Sequence, residues 1–231
     1  MKVEIWSDVM CPFCYIGKRK FESALQKFGH SDKVEVEWKS FQLNPNMVTD
    51  PSRSTMQYLA ETKGWSIEQT KNSMQHVSEM AKGVGLTYNF EKAVVANSFD
   101  AHRFIQFAKT KGKGDAAEES LFKAYFTEGK NTADHEVIIE LAKSIGLDEN
   151  ETRKILSSNV FAKEVVDDIT EAQKIGVRGV PFFVLDRKYA VSGAQDPEHF
   201  YQALSKAWDE QKNLDSSDDS GAVCTPDGEC N

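Results

Sequence analysis

The sequence predicts an α/β fold in which a block of helices divides a small sheet into two parts. Two strand patterns with a helix pattern between them occupy residues 3–39, and strand patterns return at residue 180. Between about residues 51 and 173, helical periodicity dominates and strand alternation is missing. A cysteine pair, Cys11 and Cys14, lies directly between the first strand and the first helix. The chain is therefore expected to begin and end with sheet elements and to be helical in the middle.

The first part of the chain predicts a β-α-β unit. Val3 and Ile5 alternate with Lys2 and Glu4 in the first strand, as expected of a half-buried strand. The helix has one apolar face, formed by Phe21, Leu25 and Phe28. The second strand, over residues 34–39, has an apolar face formed by Val34, Val36 and Trp38.

Three apolar stripes predict helices in the middle of the chain. The stripes are Ala101, Phe104, Ile105 and Ala108; Val137, Ile138, Leu141, Ala142 and Ile145; and Phe161, Val165, Ile169 and Ala172. Thr132 or Asp134 is expected to cap the second of these helices, which is expected to end at Gly146.

The last part of the chain predicts a hairpin and a helix. Residues 180–185 and 189–191 form the two strands, and Asp196-Pro197 opens the helix. The complete order matches an α/β thioredoxin fold with a large helical insertion. We assign residues 1–48 and 174–213 to a thioredoxin-like domain, 49–173 to the insertion, and 214–231 to an acidic, flexible tail.

Composition narrows the classes of function. The formal charge of −8 argues against nucleic-acid binding, and five acidic residues but no basic ones follow residue 213. No apolar run approaches the roughly 20 residues of a membrane span. The first residues lack the pattern of a secretory signal, which predicts a cytoplasmic protein. In that reducing compartment, four cysteines arranged as two close pairs indicate catalysis or metal binding rather than structural disulfides.

The motif Cys11-Pro12-Phe13-Cys14 indicates redox chemistry. Pro12 suits the first helical turn, which puts Cys11 at the helix N-terminus, where free amides and the helix dipole favour a thiolate. Cys14 follows one turn later and can attack a mixed disulfide formed on Cys11. The alternative is a zinc site built from two such pairs, but the strand-to-helix setting favours redox chemistry.

Pro181 heads the late strand and follows Val180. A cis bond facing the cysteines would turn the Val180 backbone toward an extended substrate segment. The alternative is a trans proline that begins an edge strand. The presence of the Cys11–Cys14 pair in the same chain favours the cis interpretation.

Four stretches, residues 8–17, 97–103, 176–183 and 189–195, resemble the DsbA-like oxidoreductases of the FrnE branch, predicted dithiol–disulfide isomerases. The resemblance implies a thioredoxin fold with a helical insertion and thiol–disulfide exchange. It further implies that Cys11 is the exposed nucleophile, Cys14 the resolving thiol and Pro181 the cis-proline. The related 2-hydroxychromene-2-carboxylate isomerases and kappa-class glutathione transferases are similar, but they carry serine at the position of Cys11.

Several neighbouring side chains have a predicted role in the same site. Phe13 replaces the His of strongly oxidising DsbA-type motifs, so we expect a reduction potential below the DsbA value of about −120 mV. This suits a reductase or isomerase. An apolar groove for substrate is expected from side chains that flank the thiols or the proline: Trp6, Phe13, Tyr15 and Phe182. We interpret His102 as a helix-packing or surface residue, with a proton donor as the alternative.

The tail pair, Cys224 and Cys230, surrounds the turn signal Pro226-Asp227-Gly228. The two thiols could form a disulfide and act as a second redox pair. Some FrnE-like proteins are similar in having a second C-terminal cysteine pair. The alternative is a pair of idle cysteines in a disordered tail.

The predicted function is a thiol–disulfide oxidoreductase/isomerase that acts on protein disulfides through a redox-active Cys11–Cys14 disulfide. We expect no metal or organic cofactor, an external thiol such as thioredoxin or glutathione as reductant, and no nucleic-acid or membrane partner. The protein is expected to be a monomer or a homodimer. Two alternatives remain: a glutathione-dependent isomerase or transferase acting on small molecules, and a zinc-binding interaction module.

Overall fold

The computed structural model describes residues 1–218, with the side chains of residues 1–212. The predicted tail pair, Cys224 and Cys230, lies outside the described residues. The strands are β1 (Lys2–Ser7), β2 (Glu35–Ser40), β3 (Asp50–Ser54), β4 (Val94–Val95), β5 (Phe182–Leu185) and β6 (Tyr189–Ser192). The helices are α1 (Pro12–Phe28), α2 (Thr55–Lys63), α3 (Ile67–Lys82), α4 (Phe99–Thr110), α5 (Gly114–Phe122), α6 (His135–Ser144), α7 (Glu149–Leu156), α8 (Ala162–Lys174) and α9 (Pro197–Asp218).

Four strands form the main sheet in the order β2-β1-β5-β6. Strand β1 runs parallel to β2 and antiparallel to β5, with Ile5 opposite Phe183. The β5–β6 hairpin turns through Asp186 and Arg187, whose φ values of 47° and 58° belong to the turn geometry that matches the twist of a hairpin. The predicted β-α-β, helical insertion and β-β-α order is therefore observed.

The two faces of the sheet pack against different helices. On one face, Phe183 contacts Phe21 of α1 and Phe200 of α9, with ring centroids 5.5 Å and 4.6 Å away. On the other face, Trp6 is fully buried with Ala172 of α8, and its indole nitrogen donates to the Asp168 carbonyl oxygen at 3.0 Å. Because helices cover both faces of the sheet, the residues at the end of β1 are buried in the protein.

The insertion differs from the sequence prediction in its first part. Strand patterns were expected to be missing there, but β3 and β4 pair as a small antiparallel sheet. This pairing has an irregular register between Asp50 and Ser54, and β4 has two residues, so neither strand carries an apolar–polar alternation. The small sheet therefore left no periodic signal in the sequence.

The predicted ends of two helices are partly confirmed. Asp134, one of the two predicted caps, caps α6 by accepting a hydrogen bond from the amide of Glu136. The regular helix ends at Ser144, and Gly146 follows with a φ of 80°, the left-handed conformation in which glycine terminates helices. Phe161, expected on the apolar stripe of α8, precedes that helix as its N-cap with a φ of 65°. Its ring still packs near Phe107, at a centroid distance of 6.2 Å, so the apolar periodicity extends beyond the helix itself.

Candidate functional site

The cysteine pair lies where β1 gives way to α1. The chain turns after β1, and the amide of Cys11 donates to the Asp8 carbonyl oxygen at 2.9 Å. Cys11 is the N-cap residue of α1, with an extended backbone, and Pro12 is in the first turn. Proline is favoured there because that turn requires no amide donor from it. The predicted position of Cys11 at the helix N-terminus is confirmed.

The exposure of Cys11 differs from the prediction. Its side chain is 3% exposed, whereas an exposed nucleophile was expected. It packs in an apolar cluster with Tyr15 and Tyr88, and Val180 closes another side. Cys11 and Cys14 are both free and buried in the structure.

The Val180–Pro181 peptide bond is cis, as the sequence predicts. The Cys11 thiol donates to the Val180 carbonyl oxygen at a sulfur–oxygen distance of 3.4 Å. The Pro181 carbonyl oxygen accepts a hydrogen bond from the amide of Gly193 at 2.8 Å, which ties this loop to the end of β6. The proline loop therefore faces the first cysteine directly.

Gly17 allows the proline loop to approach α1. A Cβ atom at this position would lie 2.9 Å from Pro181 Cγ and 3.5 Å from Ala194 Cβ. The absence of a side chain at Gly17 thus sets the separation between the helix and the loop.

Cys14 is fully buried behind Cys11. Burial raises the pKa of its thiol well above the ordinary value, and the neighbouring Cys11 raises it further. Hydrogen bonding from the Asp8 backbone and from the Ser7 side chain lowers this pKa, but the net pKa remains raised. At neutral pH, Cys14 therefore holds its proton and must lose it before acting as a nucleophile.

A buried polar cluster lies at the end of β1, formed by Ser7, Asp8, His102 and Glu118. The Ser7 hydroxyl donates to Glu118 Oε1 at 2.5 Å, and His102 Nε2 lies 3.5 Å from Asp8 Oδ1. Asp8 also accepts hydrogen bonds from the amides of Leu43 and Met10, at 2.7 Å and 3.3 Å. The cluster joins the end of β1 to helices α4 and α5 of the insertion.

Two groups of this cluster have displaced pKa values. Burial raises the pKa of Glu118 to about 7, although the Ser7 hydroxyl and the charge of His102 act in the opposite direction. Burial lowers the pKa of His102, but Asp8 and then Glu118 outweigh it, so the net pKa is above the ordinary value. The insertion thus places a buried carboxyl group with a raised pKa against Ser7, at the end of β1.

Aromatic side chains hold the first turn of α1. The hydroxyl of Tyr88 donates to the Pro12 carbonyl oxygen at 2.7 Å. Its ring stacks on Phe126, and the Tyr15 ring stacks on Phe122, with centroid distances of 4.6 Å and 4.9 Å. The cysteine motif is therefore anchored to the insertion as well as to the sheet.

The predicted apolar groove is smaller than expected. Phe13 is 39% exposed and Phe182 is half-buried, but Trp6 and Tyr15 are buried. Side chains alternate between the two faces of β1, and Trp6 lies on the face covered by α8. Tyr15 packs in the aromatic cluster of the insertion. Two of the four candidates thus remain accessible to a substrate.

Sequence reasoning missed part of the site. His102 is buried against Asp8, so a surface position is excluded, and Ser7 and Glu118 were not singled out at all. Ser7 and Glu118 are 111 residues apart in the chain. The one available signal was an acidic residue on the otherwise apolar face of α5, where Ala117 and Leu121 are also buried.

A model of the DsbA-like thioredoxin domain matches residues 2–205. The chain belongs to this family. The DsbA-like part of the predicted resemblance is thus confirmed, and the fold is the predicted α/β thioredoxin fold with a helical insertion.

The chain is similar to several known proteins, three of which follow. The probable DsbA oxidoreductase SCO1869 from Streptomyces coelicolor is 38% identical, with a TM-score of 0.87 over 100% of this chain and 98% of its own. The uncharacterized protein YwbO of Bacillus subtilis (strain 168) is 29% identical over 91% of this chain and 97% of its own. The cytosolic disulfide reductase DsbM from Pseudomonas aeruginosa, 17% identical, shares the fold with a TM-score of 0.64 over 93% of this chain and 98% of its own.

Two further observations concern residues 1–218. No helix in this part of the chain has the length and apolar character needed to cross a membrane. The same residues contain no cluster of three or more histidine, cysteine or acidic side chains arranged to hold a metal ion.

Proposed function

We propose that this DsbA-family oxidoreductase is a protein disulfide reductase or isomerase, of the FrnE branch, that works in the cytoplasm through Cys11 and Cys14. The observation that carries the proposal is the asymmetry of the pair. Cys11 starts α1 and faces the proline loop, whereas Cys14 is fully buried and its pKa is raised. One thiol is thus suited to attack and the other to resolution.

The proposed reaction has two exchange steps. The Cys11 thiolate attacks a substrate disulfide, one substrate sulfur leaves with the electron pair and is protonated, and a mixed disulfide forms. Cys14 then attacks Cys11, which releases the second substrate thiol and leaves a Cys11–Cys14 disulfide. Two electrons have passed to the substrate, and an external thiol such as thioredoxin or glutathione returns them.

The surroundings of the pair support a polypeptide substrate. Phe13, between the cysteines, is an exposed aromatic side chain that can contact apolar residues of a bound segment. Phe13 also lacks the charge and hydrogen-bonding groups by which a histidine stabilises a neighbouring thiolate. This favours a reducing or isomerising role over that of a strong oxidant.

The test is reduction of insulin disulfides with dithiothreitol as electron donor. A background in which Cys224 and Cys230 are both serine leaves two cysteines of the four in the chain. In this background we expect activity that Cys11→Ser abolishes, while Ser192→Ala, at the end of β6, serves as a matched control for handling and folding. Undiminished activity of Cys11→Ser would refute the proposal, and saturable glutathione binding without any exchange would favour the small-molecule alternative.

A further inference from the structure

The main chain just before Pro181 has no backbone partner in the described part of the protein. The amides of residues 178–180 donate no hydrogen bond to a described residue, and the carbonyl oxygens of the first two accept none. None of the three residues is buried. The preceding residue is fixed, because the Val177 amide donates to the Ala172 carbonyl oxygen at 2.9 Å. This stretch of backbone is therefore held at its start and free to pair with an extended polypeptide.

The unpaired stretch leads directly to the attacking cysteine. The Val180 carbonyl oxygen lies 3.4 Å from the Cys11 sulfur. A Cβ atom on Gly179 would meet no atom within 4 Å, so the space beside the stretch is open. Residues of an extended chain are spaced by about 3.3 Å, so a segment paired here places one residue opposite Val180 and another, two positions away, opposite Arg178. A substrate whose cysteine meets Cys11 therefore has nearby residues within reach of Arg178.

Arg178 is exposed and differs from the other arginines of the chain. Its guanidinium forms neither an ion pair nor a hydrogen bond with any residue between 1 and 212. Every other arginine pairs with at least one carboxylate in the structure; these are Arg19, Arg53, Arg103, Arg153 and Arg187. The one arginine without an acidic partner in this range thus lies in the loop that faces the redox pair.

The carboxylates closest to this loop along the chain are already engaged. Asp168 and Glu171, the last two acidic residues of α8, bind Lys39 at 2.5 Å and 3.1 Å. Glu171 also binds Arg187 at 2.6 Å. Helix α8 therefore offers no free carboxylate at this end to Arg178, and the charge of Arg178 is available to a bound molecule.

We propose that Arg178 selects protein disulfides that carry an acidic side chain about two residues from the attacked cysteine, and that it binds this carboxylate. The proposal rests on the dithiol exchange proposed above and names the substrate class of that site. The guanidinium offers a fork of donors that matches a carboxylate, and opposite charges on paired strands stabilise the pairing. Arg178 is thus a specificity residue that contacts the substrate beside the reacting sulfurs.

The experiment compares peptide disulfides that differ in charge alone. Short peptides with a single cysteine carry glutamate, glutamine or lysine at both positions two residues away from it, which covers either direction of pairing. Each peptide is joined through its cysteine to thionitrobenzoate as a mixed disulfide. The enzyme, with Cys224 and Cys230 replaced by serine, reduces it to the peptide thiol and thionitrobenzoate while Cys11 and Cys14 become a disulfide. The absorbance of thionitrobenzoate gives a second-order rate constant for each peptide.

Wild-type protein should react faster with the glutamate peptide than with the lysine peptide. Arg178→Gln should lower the ratio of the glutamate to the glutamine rate constant by about threefold to fivefold, the range for loss of an exposed ion pair. Arg178→Glu should reverse the order, so that the lysine peptide reacts faster. Sodium chloride at about 0.5 M should weaken the wild-type preference, because salt screens exposed charges.

The matched control is Lys154→Glu. Lys154 is exposed on α7 and forms no ion pair with a described residue. This variant changes the net charge by the same amount as Arg178→Glu, but outside the proline loop. It should keep the wild-type order of the three peptides, which separates local recognition from a general effect of protein charge.

The outcomes separate the two proposals. An equal ratio of glutamate to lysine rate constants in wild type and Arg178→Gln would overturn the role of Arg178 and leave disulfide exchange intact. A loss confined to the mixed disulfide of glutathione and thionitrobenzoate would overturn it too, since the carboxylate would then be that of glutathione. Release of thionitrobenzoate from the glutamine peptide that is absent, or that persists undiminished in Cys11→Ser, would instead refute the exchange function.

Discussion

The Sγ atom of Cys11 lies 3.4 Å from the carbonyl oxygen of Val180, although 169 residues separate them in the chain. This contact brings the start of α1 against the proline loop before β5. The two segments also meet at Gly17, where a Cβ atom would lie 2.9 Å from Pro181 Cγ. The spacing between cysteine and loop therefore depends on a residue that has no side chain.

Gly17→Ala is expected to destabilise the protein. The overlap with the proline ring costs about 1–3 kcal/mol, and the better helix propensity of alanine recovers about 1 kcal/mol of this. Urea unfolding should show a net loss of about 1 kcal/mol. The matched control is Gly179→Ala, whose added Cβ meets no atom within 4 Å. Equal stability of Gly17→Ala and wild type would contradict the close approach.

Arg103 is expected to be important for stability because it holds α4 to the end of α7. Its guanidinium is buried and donates to the carbonyl oxygens of Ile155, Ser158 and Val160, as well as to Asp100 Oδ1 at 2.7 Å. A lysine cannot supply this fork of donors, so Arg103→Lys should lose roughly 2 kcal/mol of unfolding free energy. Arg153→Lys, at an exposed pair with Glu136, should leave stability almost unchanged, because exposed ion pairs are screened by solvent. Similar losses for the two variants would argue against the special role of Arg103.

Tyr88 connects the insertion to the cysteine motif through its hydrogen bond to the Pro12 carbonyl oxygen. Tyr88→Phe keeps the stacked ring and removes this bond, which should cost about 0.5–1.5 kcal/mol. We also expect slower disulfide exchange, since the first turn of α1 loses an anchor. Tyr201→Phe, which removes a hydroxyl from α9 instead, is the matched control. An exchange rate unchanged by Tyr88→Phe would show that the anchor does not position Cys11.

Glu118 should make stability depend on pH in a predictable direction. Its pKa of about 7 in the folded protein lies above the ordinary value of 4.5. Between these values the unfolded chain releases a proton that the folded protein retains, so ionisation favours unfolding as the pH rises. Relative to wild type, Glu118→Gln should therefore gain stability on the order of 2 kcal/mol from about pH 4.5 to pH 7.

The control for this titration is Glu119→Gln. Burial raises the pKa of Glu119, but Tyr15, Lys18 and Arg19 outweigh it, and the net pKa lies below the ordinary value. Its stabilising contribution is therefore complete above the unfolded pKa and constant over the same range. Denaturant titrations at several pH values between about pH 4.5 and pH 7 give the unfolding free energy of each variant and of the wild type. A difference between Glu118→Gln and wild type that does not vary with pH would contradict a raised pKa.

Local patterns were sufficient to predict the fold and the cysteine motif. A strand of alternating residues, a helix beginning at Pro12 and a proline after Val180 each leave a signal within a few neighbouring positions. The wrong assignment of Trp6 to a groove had another cause: its partner Asp168 is 162 residues away, so its burial depends on how α8 packs. The same limit hid Glu118, because nothing close to it in sequence indicates that α5 meets Ser7.

The measurement that tests the central claim most directly is trapping of the mixed disulfide in Cys14→Ser. In protein that also lacks Cys224 and Cys230, this variant retains Cys11 as its single cysteine. After incubation with oxidised insulin and an acid quench, mass spectrometry should find insulin chains attached to Cys11 in Cys14→Ser. The parent with both Cys11 and Cys14 should accumulate a Cys11–Cys14 disulfide and free insulin chains. A Cys14→Ser variant that carries no adduct, or a parent that retains one as fully as the variant, would contradict attack by Cys11 and resolution by Cys14.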